Sequence, residues 1–241
     1  MYKPIFNLNP NIYWNILSKN PNAIHILEQN IDKVDWFRLS YNLNAINIIE
    51  KNLDKIIDWV LLSSNPNAIH IIEKNLDKVI DWVLLSLNPN AIHVLEKDLD
   101  KVNWCWLSRN PNAIHILEKN SDKISWNIFS QNPNAIHIIE NNLDKVDWAL
   151  LSLNPNAIYI LEKNLDKVSW FYLSKNPNAI HILKKNFDKI DWYSLSENPN
   201  AICILEKNLD KVDWRSLSLN PNAIRIIEEN FDKVDWWQLS L

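Results

Sequence analysis

The sequence predicts an all-α solenoid: ten helix-turn-helix repeats of 22–23 residues behind an N-terminal half-repeat cap. Three observations predict it. The tetrad Asn-Pro-Asn-Ala followed by Ile returns at a fixed period, its first Asn falling at Asn20, Asn42, Asn65, Asn88, Asn110, Asn132, Asn154, Asn176, Asn198 and Asn220. A period of this size marks a repeat architecture. Between the tetrads the apolar residues cluster at helical spacing, in adjacent pairs that break strict alternation. Two helices in so short a unit would each be marginal alone in water, being under about 12 residues, so they persist only by stacking on neighbouring repeats.

With the first Asn as position 1, Pro stands at 2, Asn at 3, Ala at 4 and Ile at 5. Aliphatics follow at 7 and 8, Glu at 9, Asn at 11, Asp at 13 and Lys at 14. Val or Ile comes at 15, Trp at 17, Leu or Phe at 20 and Ser at 21. The two 23-residue steps come from one extra Ile each, Ile57 and Ile80, left out of this count. Leu43 replaces the Pro in one copy.

In chain order, residues 1–19 read as a lone capping helix. Trp14 to Ser18 align with the later Trp-x-x-Leu-Ser, and Tyr2, Pro4 and Phe6 are expected to fold over its outer side. Residues 20–241 form one continuous ten-repeat domain. In each repeat, Asn before Pro reads as an N-cap with Pro in the first helical position, opening a helix A of about ten residues. Positions 4, 5, 7, 8 and 12 give it an apolar face, and 3, 6 and 10 a wet one. In a chain with no glycine, the Asn at position 11 is the expected C-cap, because Asn tolerates unusual backbone angles. The Asp at position 13 offers the N-cap of a short helix B, with Asp, Asn or Ser at 16 closing a capping-box-like pattern. The last helix B is expected at Trp236, Trp237, Gln238 and Leu239, and Arg225, Glu228 and Glu229 make the last helix A more polar, as a terminal repeat requires. Beginning and ending in phase, the chain reads as a whole protein.

Composition narrows the function. A net charge of −4 and near-cancelling charges per repeat give no strong field, against a nucleic-acid or anionic-membrane partner. The lack of glycine removes the phosphate loops, nucleophile elbows and Ca²⁺ loops that depend on it. Cys105 and Cys203 lie at different repeat positions, which fits reduced thiols and a cytoplasmic home. There is no signal-peptide pattern at the N-terminus, and no apolar run nears the roughly 18 residues of a spanning helix. With no nucleophile–base pair and no metal spacing, neither catalytic residues nor a cofactor nor a metal is expected.

The recurrent residues read mostly as frame. All six histidines, His25, His70, His93, His115, His137 and His181, occupy position 6, a solvated helix face. Tryptophan at position 17 reads as core packed between helices A and B. The Asn side chains at positions 1, 3 and 11 are expected to bond the backbone of the next repeat. The Asp at position 13 and the Lys at position 14 read as a cap and a solvated charge.

Variation beside that frame marks the candidate contact surface. Positions 18 and 22 are one helical turn apart and share a face. With position 19 they supply the expected partner-binding residues: Phe37, Arg38, Tyr41, Trp106, Arg109, Gln131, Phe171, Tyr172, Lys175, Tyr193, Glu197 and Arg215.

Throughout its length the chain, through its recurring LSxNPNAIxxLExNxDKVDW, resembles the short repeats of giant amoeba-infecting DNA viruses of the Mimivirus kind. The resemblance implies a viral, intracellular repeat protein, in the host cytoplasm or the virion, and carries no activity or site residues with it. The expected function is a non-enzymatic scaffold for protein–protein interaction. Two alternatives stand beside it: a structural protein that self-associates end to end, and a single-stranded nucleic-acid binder reading one nucleotide per repeat, which would need a basic groove.

Overall fold

A computed structural model describes residues 12–55, 58–78 and 80–233. The expected covering by Tyr2, Pro4 and Phe6, the last helix B at 236–239 and the inserted Ile57 lie outside the described residues. Among the described residues the fold is an all-α solenoid of twenty α-helices, interrupted by short 3₁₀ turns and with no strand. Also among the described residues, no helix is long and apolar enough to cross a membrane.

The chain divides into two compact units, 1–119 and 120–241. In the first, helices Trp14–Lys19, Trp36–Leu39, Trp59–Ser63, Trp82–Leu87 and Trp104–Arg109 are B-type. They alternate with the A-type helices Ile24–Gln29, Ile46–Glu50, Ile69–Glu73, Ile92–Leu95 and Ile114–Lys119. In the second, the B-type helices are Trp126–Phe129, Trp148–Leu153, Trp170–Lys175, Trp192–Glu197 and Trp214–Leu217. Their A-type partners are Ile136–Glu140, Ile158–Lys163, Ile180–Lys185, Ile202–Leu205 and Ile224–Glu228. Within each unit helix B packs on the next helix B, as Trp148–Leu153 does on Trp170–Lys175.

Helix A is shorter than its sequence pattern implies. It starts at the Ile of position 5, and the tetrad before it is a turn; Pro21–Ala23 and Pro66–Ala68 are 3₁₀. The Oδ1 of the first Asn accepts the N–H of the second, as Asn110 does from Asn112 at 3.0 Å, and the N–H of Ala113 returns to the Asn110 carbonyl at 3.2 Å. The alanine of position 4 then sits near φ −88°, ψ 0°, as at Ala135, outside the helical well, so turn and helix stay distinct. The Leu43 copy forms the same turn: Asn44 donates to Asn42 Oδ1 at 3.1 Å, and its helix starts at Ile46. Proline is dispensable there because the Asn side chain closes the turn.

The helix-B cap is also displaced from its expected place. Asp32, Asp122, Asp188 and Asp232, at position 13, lie inside 3₁₀ turns. Position 16 is the N-cap: Asp147, Ser169, Asp191 and Asp213 have extended backbones and accept from the N–H of position 19, at 2.9 Å for Asp147 and 2.8 Å for Asp191 and Asp213. The reason is position 15. Val34, Ile124 and Ile190 are extended and buried, so no helix can run from 13 into 17. Position 11 is the C-cap of helix A at Asn30, Asn164 and Asn186, without a left-handed residue, for no described residue has positive φ; elsewhere the helix ends earlier, with its C-cap at position 10, as at Lys51, or 9, as at Glu96. Asn164 sits at φ −132°, ψ 47°, and its side-chain amide turns back on the Ile160 carbonyl at 2.8 Å, in its own helix and not in the next repeat.

The core is drawn from positions 4, 7, 8, 15 and 20, as at Ala157, Ile160, Leu161, Val168 and Leu173. Each full burial of such a leucine contributes about 1.5–3 kcal/mol, and neighbouring repeats supply the cover. Position 12 lies beyond helix A, so Leu76, Phe187 and Phe231 are exposed.

Polar ladders join the repeats within this core and at its surface. The buried amide at position 1 donates to two carbonyls of preceding residues; Asn176 reaches Ser152 O at 2.9 Å and Asn154 O at 3.0 Å. The exposed amide at position 3 reaches the position-2 carbonyl of the preceding repeat, as Asn178 does to Pro155 O at 2.9 Å. The serine hydroxyl of position 21 joins consecutive helices B. Ser152 donates to Trp148 O at 2.7 Å and accepts the Ser169 N–H at 3.0 Å. These bonds satisfy groups that would otherwise be orphaned at the ends of very short helices.

Candidate partner-binding face

The frame residues are absorbed first. Every described Trp at position 17 is half-buried, and in at least eight instances the position-14 lysine of the following repeat lies over its ring. Lys167 Nζ sits 4.9 Å from the Trp148 ring and Lys189 Nζ 5.2 Å from that of Trp170. Tryptophan is therefore wall and not interior, with an ammonium closing its outer side. The lysines of position 14, which read from sequence as solvated charges, thus have a defined partner.

The position-6 histidines are exposed, and several face the position-9 glutamate of the preceding repeat. His70 is 3.6 Å from Glu50, His93 3.2 Å from Glu73, His115 2.7 Å from Glu96 and His181 3.8 Å from Glu162. Glu73 also takes Lys97 at 2.7 Å. The hydrogen bond from Lys97, then that from His93, holds the Glu73 carboxyl below the usual carboxylate range. Among the described residues no three His, Cys, Asp or Glu side chains gather as a metal site would require. Both thiols, Cys105 and Cys203, are free and exposed.

The variable positions split. Position 18 points outward: Phe37 is 46% exposed, Phe171 41% and Tyr193 48%, and Arg215 is exposed as well. Position 22 shares its side of the helix. Tyr41, 44% exposed, meets the Phe37 ring edge-on at 6.4 Å, with Lys19 Nζ 5.8 Å from its centroid. Arg109 is exposed, and Gln131, Lys175 and Glu197 are half-buried. Position 19 turns inward. Arg38 alone of the named residues there is exposed; it lies 3.7 Å from Asp35. Trp106 and Tyr172 are half-buried, while Ser194 and Ser216 are buried. Among the described residues the Ser194 hydroxyl has no hydrogen-bond partner.

The structure brings together one set of these residues across two repeats. The Phe171 and Tyr193 rings are parallel, 11° apart, with centroids at 6.5 Å. Lys175 Nζ lies 5.4 Å from the first and 5.9 Å from the second, and makes an ion pair with Glu197 at 2.9 Å. Tyr172 touches Phe171 edge-on at 5.1 Å. A second set, Phe37 with Tyr41, stands in the first unit. Sequence reading misses Leu219, 51% exposed at position 22, whose only signal is its place in the series. No family model, no curated protein and no solved structure matches the chain.

Proposed function

We propose that this protein is a non-enzymatic repeat scaffold that holds a protein partner on the helix-B face of positions 18 and 22. One observation carries the reading. The residues that repeat are spent on the frame, whereas exposed aromatic rings flanked by charge occupy positions that vary. Phe171, Tyr193, Lys175 and Glu197 form such a patch over two consecutive repeats. Aromatic anchors with a charged rim are what interfaces use for affinity and register. The lysine over the tryptophan rings of position 17 weighs against base stacking on that row, and the net charge of −4 weighs in the same direction. The likeness of the repeat to those of giant amoeba-infecting viruses supports an intracellular viral setting, in host cytoplasm or virion.

The test is affinity capture from the cells that express the protein, comparing the parent with a Phe171→Ala, Tyr193→Ala double variant and with His181→Ala on the helix-A face. Two truncated anchors are expected to weaken a specific partner at least tenfold, at more than about 1 kcal/mol each. His181→Ala should leave it bound. A partner retained equally by all three overturns the assignment of this face.

A further inference from the structure

One junction on the opposite, helix-A side departs from the pattern twice. Position 9 is Glu in nine of the ten repeats and Lys184 in the Asn176 repeat. In the repeat that follows, position 6, His in six repeats, is Cys203. Elsewhere this is where a carboxylate answers cations of the following repeat. Glu73 takes His93 and Lys97, and Glu162 takes Lys185 at 3.3 Å. By the same repeat register Lys207, at position 10, lines one groove with Lys184, where the other copies pair a lysine with a carboxylate. Neither ammonium has a carboxylate ion-pair partner among the described residues; Glu206, directly before Lys207, is the C-cap of Ile202–Leu205.

Cys203 lines a groove of about 210 Å³ together with Phe187, Ile204, Asn208, Lys184 and Lys207. Phe187 is braced edge-on against Trp192 at 5.3 Å. An internal control exists in the first unit. There Asn47 replaces the histidine and the corresponding groove opens too, but Glu28 and Lys51 line it and the charges balance. In the second unit the lining holds two lysines and no carboxylate, and Lys211 Nζ lies 4.7 Å from the Phe187 ring.

We infer that this groove is a second docking site, taking an Asp or Glu side chain from a peptide segment of a partner protein. Two lysines lining one groove without a counter-charge supply the complement to one carboxylate. The groove is below the roughly 300–1,000 Å³ that encloses a drug-sized ligand, which fits a single side chain better. Its apolar wall of Phe187 and Ile204 suits the methylenes beside a carboxylate and gives nothing to a bare phosphate. The site stands apart from the helix-B face and survives if that face proves idle.

Cys203 serves as a reporter in the folded protein, with Cys105→Ser leaving it the sole thiol. Its rate with the dianionic disulfide dithiobis-nitrobenzoate, divided by its rate with neutral dithiodipyridine, is compared with the same ratio for Cys105 in Cys203→Ser. The ratio should be roughly five- to tenfold higher at Cys203 at low salt. Lys184→Glu, which restores the residue of the other nine repeats and should leave the circular dichroism unchanged, should bring it down to that of Cys105. A Glu-Leu-Glu peptide should slow labelling of Cys203 by the neutral reagent, while a Lys-Leu-Lys peptide and inorganic phosphate at matched ionic strength should not. Equal ratios at the two cysteines, no protection by the acidic peptide, or equal protection by phosphate would each overturn the proposal.

Discussion

The Asn154 and Asn176 repeats in the second unit and the Asn42 and Asn65 repeats in the first share the same frame residues but not the same joints. In the former, Ser152 and Ser174 accept the N–H of Ser169 and Asp191 at 3.0 and 3.1 Å. The Asn176 amide spans 2.9 and 3.0 Å to its two carbonyls. The latter pair carry the extra Ile57 and Ile80 between positions 15 and 16. There the Ser40 and Ser63 hydroxyls still donate to Trp36 and Trp59, but among the described residues neither accepts an N–H from the following repeat. Asn65 reaches its carbonyls at 3.1 and 3.4 Å. Lys78 lies 3.9 Å from Asp77 and not over Trp59. The caps adapt: Asp58 and Asp81 each accept two amides, where Asp147 and Asp191 accept one. One extra residue thus spares the turn and both helices and loosens the bonds between them.

The contrast is tested hardest at the buried amide. Asn176→Ala removes the amide from the Ser152 carbonyl, leaves the Asn154 carbonyl with the Ala157 N–H alone, removes the turn's acceptor, and should cost about 3 kcal/mol. Asn65→Ala, with longer bonds to lose, should cost about half as much. Urea midpoints of the two variants measure this, and equal losses would mean that the stretched ladder is no weaker. Deleting Ile80 should restore the Ser63 bond and bring Lys78 over Trp59, a gain of about 1–2 kcal/mol. An Ile inserted between Val168 and Ser169 should cost a similar amount. A deletion that lowers the melting temperature would show that Ile80 contributes by packing. The smallest difference lies in the cations. Lys167→Gln should lose about 0.5–1 kcal/mol and Lys78→Gln close to nothing; equal losses in thermal unfolding would remove the ring contact from the account.

The period, the paired helices and the buried leucines are legible in the sequence because they depend on hydrophobicity and spacing alone. Helix A reads too long because Asn-Pro suits a helix start and a tight turn equally. The choice lies in whether the Asn112 N–H is taken by the Asn110 side chain, a local competition that composition does not express. The cap reads at position 13 because that position and position 16 are both acidic in most copies; the buried, extended valine or isoleucine at 15 decides between them. The lysine of position 14 and the tryptophan of position 17 that it covers belong to different repeats, with no helical spacing to announce the contact. At the candidate site, the i, i+4 relation of 18 and 22 is readable. Position 19 is not, because one further residue rotates the side chain toward the packed interior, where Ser194 and Ser216 are buried.

The Asn ladder carries a consequence at the level of the gene. Its amides address main-chain carbonyls only, so the joint is blind to whatever stands at positions 6, 18 or 22. Excising 154–175 would present Asn176 with the Ser130 and Asn132 carbonyls that Asn154 now uses at 3.0 Å each. Copies can therefore be lost, duplicated or shuffled by slippage between near-identical stretches of DNA without redesigning an interface. Copy number and copy order become heritable variables, and recombination becomes a means of rewriting the surface while the frame stays the same.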